Sequence, residues 1–267
     1  MKKTTSLCFI GLLLIQAMPG FAQYTDTASV SNAATNASST IRWNTPPQKR
    51  GFPYKQFIVP VVMVVYGVTT LHSDGLQGLN HKVKEELYTE RSDKKPMHID
   101  NFLLYSPALA VYGLNAMGIK GKHNFRDRTI LYAMSELIQS AIVFPVKSMA
   151  AENRPDGSNS LSFPSGHTAC AFASAEFMRQ EYKDVSPWYG VAGYAAAAST
   201  GFLRMYNNKH WLSDVVAGAG IGIMSTKMAY WIYPVIKRKL FKDKDVSTVV
   251  MPMYQDGALA VGLVHHF

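Results

Sequence analysis

Apolar residues gather in six long runs, at 57–71, 102–117, 130–146, 168–178, 188–203 and 211–236. None of them alternates with the period of two that marks a half-buried strand. Ala and Leu are frequent, and each run is long enough for about three helical turns or more, so the pattern predicts helices. Between the first two runs, residues 80–91 carry only a thin stripe of Val83 and Leu87, with Tyr88 beside it and charges on the other faces. That predicts a solvated or interfacial helix. No repeat of solenoid length is visible, so the runs are expected to form one all-α bundle of about six core helices over residues 56–240.

Both ends of the chain break this pattern. At the start, Lys2 and Lys3 precede an apolar run at 7–15, and Pro19-Gly20-Phe21-Ala22 follows it. This is the plan of a secretory signal peptide, predicted over residues 1–22 with cleavage after Ala22. Residues 23–55 are rich in Thr, Ser, Asn and Ala, with Pro46-Pro47 near the end. They hold too little apolar surface to fold alone and are read as a disordered or linker arm. At the other end, two strand-like runs flank Asp256-Gly257, a strong turn signal. A short C-terminal β-hairpin is predicted over 247–267, packed against the helices.

Composition narrows the partners. The 267 residues are 48% hydrophobic and 17% charged, which excludes a disordered or disulfide-scaffold chain. The net charge of +9 points to phosphates, nucleic acid or anionic lipid. Loss of residues 1–22 would leave +7 and Cys170 as the one cysteine, so no internal disulfide is expected. A mean hydropathy of -0.02 is low for a chain made mostly of membrane spans.

The candidate chemistry lies in two windows. Lys147 and Arg154 are seven apart, two turns on one helix face, and Pro155 is expected to end that helix. Next comes Phe163-Pro164-Ser165-Gly166-His167-Thr168 at the mouth of an apolar run. Ser165 suits an N-cap, Gly166 allows close approach to the backbone, and free N–H groups at a helix start attract phosphate. In the second window Arg204 is followed by His210 and Asp214. Spacing of four puts the last two on one helix face, where the carboxylate holds one ring nitrogen and frees the other for attack. Each feature alone has an ordinary structural explanation.

In this order, however, they resemble the signature of the type 2 phosphatidic acid phosphatase superfamily, which includes class A acid phosphatases and vanadium haloperoxidases. The three parts are Lys147 through Arg154-Pro155, then Pro164-Ser165-Gly166-His167, then Arg204 through His210 to Asp214. Leu203 departs from the pattern, standing where the family usually has Ser. The resemblance implies a metal-independent phosphatase of phosphomonoesters or diphosphates. His210 would be the nucleophile, forming a phosphohistidine, with Asp214 orienting it and His167 protonating the leaving oxygen. Lys147, Arg154, Ser165, Gly166 and Arg204 would hold the phosphate. The implied partner is a phosphorylated envelope lipid or a small phosphomonoester, with an anionic membrane surface as a further contact, no nucleic acid and no cofactor. Competing readings are a haloperoxidase carrying vanadate on the same site, and a non-catalytic envelope binding protein.

The family's six-helix plan puts the first two motifs between helices three and four and the third between five and six. With the N-terminus exported, three full crossings would leave the site in the cytoplasm, whereas the Lys and Arg excess on the face opposite the site suits a site outside. Glu136, Glu176 and Lys227 interrupt apolar runs, and unpaired charges at bilayer depth are costly. These points favour an exported periplasmic protein, soluble or peripheral to the membrane, over an integral one.

Overall fold

The computed structural model describes residues 51–240, 248–255 and 258–265. The expected signal peptide, the arm up to residue 50, and the Asp256-Gly257 turn lie outside the described residues. The helices are α1 (Ile58–Thr70), α2 (Asp74–Lys84), α3 (Asp100–Leu103), α4 (Ser106–Ala116), α5 (Phe125–Ala150), α6 (Gly166–Tyr182), α7 (Pro187–Tyr206) and α8 (Leu212–Leu240). Each apolar run has become a helix, with α3 and α4 sharing the second. Beyond them, Thr248–Gln255 and Ala258–His265 pair antiparallel with Thr248 opposite His265; the fold class rests on the helices alone.

The long helices alternate in direction, so that one end of the bundle collects the last turns of α5 and α7 and the first turns of α6 and α8. Helix α1 runs antiparallel to α8. A Cβ on Gly67 would meet Ser213 and Ala217, and one on Gly220 would meet Pro60 and Met63. The chain therefore enters at the far end, where Phe52 stacks on Phe57 and meets Trp231 edge-on at 5.1 Å between ring centroids. The same far end holds the His123–Glu181 contact at 2.7 Å and the Lys237–Asp127 ion pair at 2.7 Å.

Small residues line the interior. Ala169, Ala171, Ala173, Ala175, Ala197 and Ala217 are all fully buried, and Gly218 and Gly222 bring α8 onto the backbone of α6. The outside is apolar instead: Val59, Val62 and Val65 on α1 are exposed, as are Leu137 and Phe144 on α5 and Val191 on α7. Helices α5 and α8 are long and apolar enough to cross a membrane, and α1 with α2 would make a third span if the bend of 96° between them is a broken span. The interrupting charges do not face outward. Glu176 is fully buried, accepts two hydrogen bonds from Arg179, and pairs with Lys227 at 3.1 Å. Two of the three charges that argued against a membrane setting, Glu176 and Lys227, thus neutralise one another inside the bundle, where their cost is offset; Glu136 is outside this pair and keeps an Oε1 with no hydrogen-bond partner among the described residues.

Candidate active site

The site is assembled at the end where α5, α6, α7 and α8 converge. Helix α5 stops at Ala150 because Ala151 takes a left-handed conformation, φ 47°. Arg154 therefore lies beyond the helix, in a turn closed by Arg154 N–H on Asn159 O (3.0 Å) and Gly157 N–H on Arg154 O (2.9 Å). The expectation that Lys147 and Arg154 share a helix face is corrected: Pro155 follows a helix that has already ended. The two cations still lie within electrostatic reach of each other, and Arg204 lies within reach of both. Lys147 Nζ donates to the carbonyls of Leu161 (2.7 Å) and Ser162 (3.2 Å), tying the end of α5 to the segment that leads into α6.

Ser165 caps α6 as expected. Its Oγ accepts from Thr168 N–H and Thr168 Oγ1–H, and its own backbone N–H donates to Asp214 O at 3.0 Å. This last bond stitches the start of α6 to the start of α8. The Ser165 hydroxyl hydrogen remains free to donate, and Gly166 leaves the approach over the first turn open. His167 stands in that turn, with Nε2 3.0 Å from Asn101 Oδ1. Burial, then the charge of Arg204, lowers its pKa to about 4.

The second window differs from its sequence reading in one detail. His210 precedes α8, which starts at Leu212, so His210 and Asp214 do not share a helix face. They meet because Asp214, in the first turn, reaches back. Its Oδ2 accepts from Trp211 N–H at 2.9 Å and lies 3.3 Å from His210 Nδ1. A carboxylate near a helix start satisfies an otherwise orphaned N–H there. His210 is buried, and burial lowers its pKa to about 4 even though Asp214 pulls the other way. A neutral imidazole with Nδ1 on a carboxylate has Nε2 free as a nucleophile.

Several participants carried no recognisable signal. Arg204 donates to Asp100 Oδ2 at 2.7 Å, a buried pair. Ser162 Oγ–H donates to Asp214 Oδ2 at 2.5 Å. Helix α2, expected to be solvated or interfacial, clamps the site from outside. Asn80 exchanges two hydrogen bonds with Ser213 at the start of α8, and Lys84 donates to Pro155 O at 2.8 Å and lies over the Trp211 ring. These contacts join positions more than 50 residues apart, which local spacing cannot reveal.

Three buried polar atoms in this cluster have no hydrogen-bond partner among the described residues: Arg154 Nε, Arg204 Nε and Asp214 Oδ1. The two guanidinium N–H groups, with Lys147 and the start of α6, form a cationic cradle suited to a tetrahedral oxyanion. Among the described residues no group of three His, Cys, Asp or Glu is placed to hold a metal ion.

Residues 128–238, which contain all eight candidate site residues, match the PAP2 superfamily. The chain is 30% identical over 255 residues to a lipid A 1-phosphatase of Porphyromonas gingivalis, covering 95% of this chain and 54% of that protein. It thus spans about half the length of that curated relative. The crystal structure of a transmembrane PAP2-type phosphatidylglycerolphosphate phosphatase from Bacillus subtilis superposes with a TM-score of 0.50 at 18% identity, over 69% of this chain and 98% of that one. A second crystal structure, LpxE of Aquifex aeolicus, superposes with a TM-score of 0.44 at 19% identity, over 57% of this chain and 95% of that one.

Proposed function

We propose that this chain, whose residues 128–238 match the PAP2 superfamily, is a phosphatase acting on a lipid phosphate through a phosphohistidine on His210. The observation that carries this reading is the pair of unpartnered, buried Arg154 and Arg204 Nε groups beside a buried His210 whose Nδ1 is held by Asp214. A phosphoryl group seated there satisfies both donors at once.

The steps follow from the placement of the groups. Lys147, Arg154, Arg204, the Ser165 hydroxyl and the Gly166 N–H bind the non-bridging oxygens and stabilise the charge that spreads over them. His210 Nε2 attacks phosphorus in line while Asp214 steadies the ring as it becomes cationic. His167 donates a proton to the leaving oxygen, then takes one from the water that cleaves the phosphorus–nitrogen bond. An entering phosphate places negative charge among Arg204, Arg154 and Lys147, cations that depress the His167 pKa, and so favours the protonated acid that the first step needs.

A lipid phosphate suits the setting. The relative named for lipid A acts on an amphiphile, and the apolar flank of the bundle would hold acyl chains while the headgroup reaches the polar end. We place the bundle in the membrane, with α5 and α8 crossing it. The far end carries Lys55, Lys120, Lys122, Arg126, Arg128, Lys183, Lys237, Arg238 and Lys239, and this concentration of Lys and Arg supports placing that end toward the cytoplasm and the site toward the outer side. On this placement residue 51 starts on the cytoplasmic side, opposite to where a cleaved export signal would leave it. The integral arrangement replaces the soluble or peripheral one because the interior pairing of Glu176 with Lys227 removes the main argument against it.

The test is phosphate release by the purified full chain from lipid A, phosphatidic acid, undecaprenyl diphosphate and a water-soluble monoester, with His210→Ala alongside. Release by the wild type from at least one lipid and none by the variant is expected. Equal behaviour of the two would sink the assignment.

A further inference from the structure

The short helix α3 faces the site with two adjacent side chains that the signature motifs do not include. Asp100 is buried and accepts from Arg204 at 2.7 Å, while Asn101, exposed and next in sequence, lies with Oδ1 3.0 Å from His167 Nε2. We propose that Asn101 is the positioning residue of the general acid: its side-chain carbonyl keeps the transferable proton on His167 Nε2 and aims that atom at the leaving oxygen. The inference rests on the phosphatase reading above and adds to it a residue outside the three motifs.

The direction of the Nε2–H is what Asn101 controls. The acid that gives up a proton is the imidazolium, which carries one proton on each ring nitrogen. An amide oxygen facing Nε2 accepts from that N–H and so fixes the ring with Nε2–H toward the site. The Asp100 to Arg204 bond anchors α3, so Asn101 cannot drift away from His167 without breaking a buried ion pair. When a phosphate ester enters, the leaving oxygen takes over the Nε2–H as the phosphorus–oxygen bond breaks. The proton ends on the departing alcohol, and the ring keeps its Nδ1 proton. Groups whose charges reach His167 are Arg204 from α7, Asp100 from α3, Arg154 from the turn after α5, and Lys147 from α5. Asn101 adds no charge of its own, so its contribution is direction.

A positioning role makes a prediction that a merely structural role does not. Protonation of the leaving group matters for an alkoxide and hardly at all for a nitrophenolate, which departs unaided. With Asn101→Ala, kcat on an alkyl or lipid phosphate should fall by roughly 10–100-fold, a part of the total effect of a general acid. On p-nitrophenyl phosphate the fall should stay within about threefold, with KM unchanged on both substrates. Asn101→Asp puts a carboxylate against the imidazole and should move the alkaline limb of kcat up by about one pH unit, as an opposite charge does at this range. Asn101 is exposed, so neither change opens a cavity, and unchanged melting of both variants is expected. Equal losses on the two leaving groups, or an alkaline limb that does not move in Asn101→Asp, overturns the inference while leaving the phosphatase reading intact. A wild type that matches His210→Ala overturns both.

Discussion

Gly222 lies where α8 crosses α6. A methyl group added there would sit 2.1 Å from the carbonyl oxygen of Ala169 and 2.8 Å from the amide nitrogen of Ala173. Both are backbone atoms of a helix, so no rotamer change relieves the clash, and α6 and α8 must separate by about 1 Å against close packing. Two effects oppose each other. Gly→Ala within a helix gains about 1 kcal/mol from backbone entropy, and forced overpacking costs about 1–3 kcal/mol or more. The backbone contact puts the cost at the upper end, for a net loss of about 2 kcal/mol. In a domain of this size that lowers the melting temperature by about 4–8 °C. Gly113, exposed in α4, is the matched control, because a methyl group added there would meet no described atom within 4 Å. Only the entropy gain applies at that position, and Gly113→Ala should melt at or above wild type. Thermal unfolding of the three proteins in one detergent, followed by tryptophan fluorescence, decides it. If Gly222→Ala melts no lower than wild type, the reasoning about the α6–α8 contact is refuted.

Three further outcomes follow from the site. Asp214→Asn keeps the shape but removes the charge that steadies the His210 ring, so kcat should fall by about 10²–10⁴ while phosphate affinity holds, read by steady-state kinetics and phosphate competition. His167 and His210 keep their rings neutral in the fold down to about pH 4, whereas the unfolded chain protonates them near 6.5. The unfolded state therefore binds more protons in that window, and stability should fall as pH drops through it, seen as a falling melting temperature. Vanadate at 100 times its Kd should stabilise the fold by about 2.7 kcal/mol, and Arg154→Ala should remove most of that gain in the same melting assay.

The sequence made the helices legible because a helix records its burial locally, in runs such as 130–146 and 188–203. It also made the candidate site residues legible, since Ser165 caps α6 and Asp214 reaches His210 over four residues. What it misplaced was the path between them. Nothing in Lys147 to Pro155 announces that Ala151 turns left-handed and ends α5 early, and the four-residue spacing of His210 and Asp214 looks helical although Asp214 reaches back over the helix start. The supports Asn80, Lys84, Asp100 and Asn101 were invisible, because each acts across a long stretch of chain and has an ordinary polar neighbourhood in sequence. Glu176 and Lys227 misled for a related reason: a charge in an apolar run looks unpaired until the partner on another helix is known.

Lys147 has three ammonium hydrogens, and two of them are committed to the carbonyls of Leu161 and Ser162. One is left for a ligand oxygen. The residue is thus a brace first and a charge second, and its geometry is that of a tripod. A planar guanidinium directs its donors within a single plane and does not reproduce three donors diverging from one atom. At this position, an exchange of one cation for another alters the architecture of the loop as well as the binding of the anion.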